Sequence, residues 1–158
     1  VLYGEDNPVT VANFIENVQN NIYQNKSFYK ILQYSQVRLI QSGINPKKNY
    51  YAQKEILFDV RPSIPLEIKF KKENKTKYRY STKEPSEIED IKNSFQPGAL
   101  AMIKSEERKS SSTEFFFVSN KIPELDGRYS IFGKIVKGFE VLEKITIKDF
   151  IHDIKISN

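Results

Sequence analysis

The sequence predicts a mainly β domain, a closed antiparallel barrel capped by two α-helices, and three observations lead there. Short runs of apolar or alternating residues recur along the chain, separated by turn residues such as Pro97-Gly98 and Asp126-Gly127. Only two segments, one near each end, carry apolar residues at convincing helical spacing. Residues 112–118, Ser-Thr-Glu-Phe-Phe-Phe-Val, form an aromatic and β-branched run that reads as a strand buried on both faces, with one charge, Glu114, at its start.

The first helix begins at Glu5-Asp6-Asn7-Pro8, where an Asn suits the cap and a Pro the first turn. Val11, Phe14, Ile15 and Val18 give it one buried face, and Asn20-Asn21 ends it. Residues 28–32 and 37–41 read as strands, and residues 46–51 as a loop. Residues 64–70 and 76–80 alternate around Lys72-Glu73-Asn74-Lys75 and predict a β-hairpin, made basic by Lys69, Lys71, Lys72, Lys75, Lys77 and Arg79. Residues 84–92 suit a loop or short helix, 99–103 a strand, and the charged, Ser-rich 104–111 a surface loop. Residues 131–136 read as a strand. Gly138 precedes the second helix, with Val141, Leu142 and Ile145 on one face, and residues 150–156 close as a last strand.

Composition narrows the chemistry. The 158 residues suit one domain, and a hydrophobic fraction of 39% with 13% aromatics supplies one sizeable core. A net charge of +5 is too mild to argue for nucleic acid. The absence of cysteine excludes disulfides, thiol chemistry and Cys-based zinc sites, and His152 is the single histidine, so no metal or cofactor is expected. No run approaches the roughly 20 apolar residues of a membrane span. Val1-Leu2-Tyr3 reads as the end of a strand truncated or processed upstream, so the expected compartment is open: cytoplasmic, or periplasmic or thylakoid-lumenal after removal of a signal.

Two stretches carry a family resemblance: residues 112–117, S-T-E-F-F-F, and residues 125–145, L-D-G-R-Y-S-I-F-G-K-I-V-K-G-F-E-V-L-E-K-I. Together they resemble the cyclophilin-type peptidyl-prolyl cis-trans isomerases. The likeness continues in Gly98-Ala99-Leu100-Ala101-Met102, Gln41-Ser42-Gly43, Phe28-Tyr29-Lys30-Ile31-Leu32 and Pro8-Val9-Thr10-Val11-Ala12-Asn13-Phe14. It implies a single domain over 1–158 with an eight-stranded cyclophilin-like barrel, and an extra basic hairpin of the kind found in cyanobacterial and plastid members. Gln33-Tyr34-Ser35-Gln36 stands where the family usually has a shorter, proline–glycine turn.

Turning an X–Pro bond means passing a twisted amide, a barrier of about 20 kcal/mol. A catalyst needs an apolar pocket for the proline ring and a donor for the prolyl nitrogen as it gains a lone pair. By the resemblance, Lys30 stands at the catalytic arginine and Gln41 at the glutamine beside it. The implied substrate-binding residues are Phe28, Arg38, Leu39, Ile103, Glu114, Phe116, Glu124, Leu125 and Tyr129. Within that set Phe28, Phe116 and Leu125 match the family, and Leu39 replaces a methionine. Glu114 replaces a glutamine, Glu124 a tryptophan, Tyr129 a histidine and Ile103 a small alanine. Arg38 falls at a pocket phenylalanine, with Val37 as the alternative register. Lysine lacks the planar guanidinium fork, and a carboxylate at 114 is expected to pair with it.

The resemblance therefore implies an isomerase of reduced activity, monomeric, acting on proline-containing peptides or protein loops. Two other readings stay open: a peptide-binding module that does not catalyse, and an interaction domain using the basic hairpin (residues 68–80) on an acidic partner.

Overall fold

The Phe-rich run is the centre of the main sheet. The computed structural model describes residues 1–44 and 63–157, so the loop expected at 46–51 lies outside the described residues. In chain order the elements are α1 (Pro8–Gln19), β1 (Lys26–Ser27), β2 (Lys30–Tyr34), β3 (Val37–Gly43), β4 (Ser63–Pro65), β5 (Glu67–Ile68), β6 (Lys77–Tyr78), α2 (Pro85–Glu89), β7 (Ala99–Glu106), β8 (Lys109–Val118), β9 (Ile131–Lys134) and β10 (Phe150–Ile151). Short 3-10 turns cover Pro123–Leu125 and Phe139–Val141.

The fold is mainly β with two helices. Among the described residues, antiparallel pairing builds one sheet in the order β2-β3-β8-β7-β9, with β4 also on β8, and two small sheets, β1-β10 and β5-β6. These pairings do not join into a closed ring. Several expectations are corrected. Residues 104–111 are not a loop: β7 and β8 run through them, and Ser110 and Ser111 are buried where β4 pairs with β8. The second helix is α2, whereas the segment after Gly138 makes only a 3-10 turn. The last strand is two residues long, and the basic hairpin pairs only Glu67 with Tyr78 and Ile68 with Lys77.

Alternation along β8 separates two interiors. Phe115 faces α1, where the rings of Phe14 and Tyr23 lie 5.6 and 5.1 Å from it, and Phe132 packs on Phe14 at 5.1 Å. Phe116 points the other way and stacks on Phe95 at 5.6 Å, with Ala101, Val118 and Ile131 completing that cluster. Offset-stacked and edge-to-face geometries of this kind add to the burial energy of the rings. The side-chain amides of Asn13 and Asn17 both donate to the Ser112 carbonyl, at 2.6 and 2.7 Å, and pin α1 to β8.

The start of α1 is held by a residue far away in sequence. Asn7 occupies the cap position but its side chain makes no capping bond. Instead the wholly buried Glu67 carboxylate accepts from Val9 N (3.1 Å), Thr10 N (2.7 Å) and Thr10 Oγ1 (2.6 Å). Free N–H groups and the positive end of the helix dipole favour an anion there. The Glu67 backbone is used too: its N–H donates to Ser130 Oγ (2.8 Å) and its carbonyl accepts from Asn7 Nδ2 (3.1 Å).

Replacing Glu67 by Gln keeps the volume but turns an amide NH₂ toward helix donors. We expect a loss of about 1–3 kcal/mol in urea unfolding, the cost of leaving a buried donor unmatched; an unchanged midpoint and slope would show that the cap is not needed.

Candidate functional site

Register assembles the candidate site on the Phe116 face. Gln41 of β3 lies opposite Lys30 of β2 on one side and opposite Phe116 of β8 on the other, and Phe116 lies opposite Ala101 of β7. Directly opposed residues of antiparallel strands project to the same side, so Lys30, Gln41 and Phe116 form one row across the sheet. A cavity of about 190 Å³ opens beside that row, lined by Leu32, Leu39, Gln41, Ile103, Lys104, Phe116, Leu125 and Tyr129. Six of the eleven residues singled out from sequence are therefore brought together: Leu39, Gln41, Ile103, Phe116, Leu125 and Tyr129.

The others are placed differently. Lys30 sits exposed at the edge of the row. Arg38 does not line the cavity: its guanidinium is on the other side of the sheet, donating to the carbonyls of Leu142 and Ile145. Phe28 packs on that side as well, with Ile40 and Leu142. The physical reason is the same for both: alternation sends Arg38 and Ile40 away from the face of Leu39 and Gln41. Glu124 is exposed on the 3-10 turn, outside the cavity lining.

Glu114 is buried, and the hydroxyl of Tyr29 donates to its Oε1 at 2.8 Å. The expected Lys30–Glu114 ion pair is thus replaced by a bond from Lys30's chain neighbour. Partial burial and the adjacent carboxylate raise the Tyr29 phenol well above its ordinary range. Opposite Glu114 lies Gly43, with φ of +107°; a Cβ there would come within 2.0 Å of the Thr113 carbonyl oxygen, so only glycine fits the close strand approach.

Tyr29, Leu32, Lys104 and Phe95 were not singled out from sequence. Leu32 follows Lys30 by two residues, and that period was a usable signal. Lys104 lines the cavity where the β7–β8 register shifts on both sides of it, which periodicity cannot reveal. Phe95 backs Phe116 from a segment outside any strand.

Asp126 of the L-D-G motif supports the cavity from behind. Its buried Oδ1 accepts from Phe95 N at 2.7 Å, holding the ring that stacks on Phe116. Leu125, one residue earlier, is thereby fixed at the wall. The basic hairpin is partly neutralised: Lys72 pairs with Asp90 (3.0 Å), Lys77 with Glu73 (2.9 Å), and Lys71 donates to the Glu89 carbonyl (2.6 Å). Among the described residues there is no group of His, Cys, Asp and Glu fit to hold a metal ion, and no helix long and apolar enough to cross a membrane.

A family model described as "Cyclophilin type peptidyl-prolyl cis-trans isomerase/CLD" matches residues 1–157. The chain belongs to the cyclophilin family. Curated relatives include peptidyl-prolyl cis-trans isomerase-like 2 of Cryptococcus neoformans, 46% identical over 48 residues, which are 30% of this chain and 8% of that protein. Another is the Arabidopsis thaliana isomerase CYP18-1, 42% identical over 57 residues, 36% of this chain and 35% of that one. The matched stretches thus cover only a small part of these relatives. Among solved cyclophilins, that of Cryptosporidium parvum aligns over 92% of this chain and 75% of its own, with TM-score 0.57 and 22% identity. AquaCyp293 from Hirschia baltica aligns over 92% and 62%, with TM-score 0.61 and 18% identity. At these identities the likeness speaks for the cyclophilin fold alone.

Burial raises the Asp126 carboxyl above the usual carboxylate range, against the opposing bond from Phe95 N. The folded state then binds that proton more tightly than the unfolded state, so its protonation favours folding as pH falls through the folded pKa. Wild type should therefore gain stability relative to Asp126→Asn as pH is lowered through that range, read as the difference of two urea-unfolding series. A difference independent of pH would contradict the shift.

Proposed function

We propose that this cyclophilin is a peptidyl-prolyl cis-trans isomerase acting on proline-containing peptides or protein loops, with turnover reduced by its substitutions. The observation that carries the reading is the apolar cavity beside the Lys30–Gln41–Phe116 row. A proline ring enters against Phe116 and Leu125, with Ile103 narrowing the opening. The Gln41 amide both donates and accepts, which suits the peptide groups flanking the ring. Lys30 supplies the cation whose N–H meets the prolyl nitrogen as the amide twists and its lone pair localises. No nucleophile, metal or cofactor enters these steps. The Cryptosporidium cyclophilin was solved in the presence of the dipeptide Ala-Pro, a ligand whose size and chemistry suit this cavity.

Reduced turnover follows from the donor. An ammonium presents one point of charge on a flexible stem, whereas a guanidinium offers a rigid fork. A binding module without catalysis is the second reading, favoured by the exposure of Lys30 at the sheet edge. Family membership also supports the eight-stranded closure expected for the β layer.

The test is isomerisation of an Ala-Pro peptide by the chain and by Lys30→Arg, Glu114→Gln and the double variant. Arg restores the fork. Gln removes the buried charge, and its carbonyl still accepts from Tyr29. With Lys30 outside the Tyr29–Glu114 bond, the two changes should combine as roughly the product of the single effects on kcat/KM, with a total gain on the order of tenfold. A folded double variant no faster than wild type would put the defect in the cavity walls and favour the binding module.

A further inference from the structure

Apolar surface beside the cavity is left unused by the proposed reaction. β2 and β3 form a five-pair hairpin from Lys30↔Gln41 to Tyr34↔Val37, closed by Ser35-Gln36. Ser35 takes a left-handed φ of 52°, and Gln33 Nε2 donates to its carbonyl at 2.7 Å, so the turn is defined. Two large apolar residues on this hairpin stay open to solvent: Leu32 is 41% exposed and Tyr34 73%. Alternation puts both on the face of Lys30. Leu32 is itself part of the cavity lining, and Tyr34 stands one step further along the same strand, about 7 Å away. The open surface is thus continuous with the cavity. Its outer residue, Tyr34, belongs to the turn segment Gln33 to Gln36.

We propose that Leu32 and Tyr34 form a specificity rail, which selects proline peptides with an aromatic or large apolar side chain about two residues from the proline. The spacing supports this: an extended peptide advances about 3.3 Å per residue, so two residues cover the step from Leu32 to Tyr34. The chemistry supports it as well, because an exposed phenol ring gains most from an apolar or aromatic partner that covers its face. The inference rests on the reading of the cavity as the proline site.

The test uses peptides with an Ala-Pro core and either Phe or Ser two residues before or after the proline. Both kcat/KM for isomerisation and Kd from an NMR titration are read for wild type, Tyr34→Ser and Tyr34→Phe. The Phe peptide should be preferred roughly fivefold at one of the two positions, the order expected for one aromatic contact. Tyr34→Ser should bring the ratio close to one, and Tyr34→Phe should retain it. Equal values for Phe and Ser peptides, or a preference untouched in Tyr34→Ser, would overturn the rail. The two readings fail separately: turnover without preference removes the rail and keeps the isomerase, whereas preference in Kd without turnover keeps the rail and removes the isomerase.

Discussion

The buried Glu67 carboxylate is the constraint on which the arrangement of this domain depends. A charge with no exposed surface is tolerated only when it is matched bond for bond. Here three donors from the first turn of α1 meet it, while its backbone joins Asn7 and Ser130. The helix, the small β5-β6 sheet and the approach to β9 are thereby joined at one point. Ser130 immediately precedes Ile131, whose strand closes one edge of the main sheet, and follows Tyr129 at the cavity. Helix position and site wall consequently share one polar anchor.

The division of labour on β8 follows from pleating. Phe115 and Phe117 serve the interior beneath α1, Phe117 also packs against the cluster of Phe28, Ile40 and Leu142, and Phe116 serves the opposite cluster. Leu39, Ile103, Leu125 and Tyr129 pack on that second cluster, and the cavity opens among them beside Phe116. Asp126 fixes one edge of the cavity by holding Phe95. The carbonyl-bound Arg38 fixes the layer behind it by tying residues 142 and 145 to β3. Site geometry thus depends on residues that never face it.

The polar groups around the row are held to different degrees. Glu114 is buried, and the phenol of Tyr29 donates to it where the side chain at 30 was expected to pair. That leaves the Lys30 ammonium exposed beside Gln41, present in the row yet not locked in it. A flexible stem at an edge strand loses rotamer freedom on engaging a ligand.

Local signals were enough for much of this. Helical spacing of Val11, Phe14 and Val18 marked α1, the aromatic run marked β8, and the family resemblance of the L-D-G and Q-S-G segments implied that Leu125 and Gln41 lie near Phe116. The sequence by itself thus determined α1, the central strand and, through the family resemblance, the apolar half of the site, but not β7 and β8 through 104–111 or the second helix at α2. Tertiary structure decided the rest, where a residue's role depends on partners distant in the chain. Asn7 is the cap by sequence, but Glu67, 60 residues away, makes the bonds. Arg38 and Leu39 are adjacent, yet only Leu39 faces the cavity, because register with β8 chooses the face. Lys104 reached the cavity through a register shift in β7, and Glu114 found Tyr29 rather than Lys30. Strand register, bulges and long-range caps are settled by the packing of whole layers, and no short window of sequence contains them.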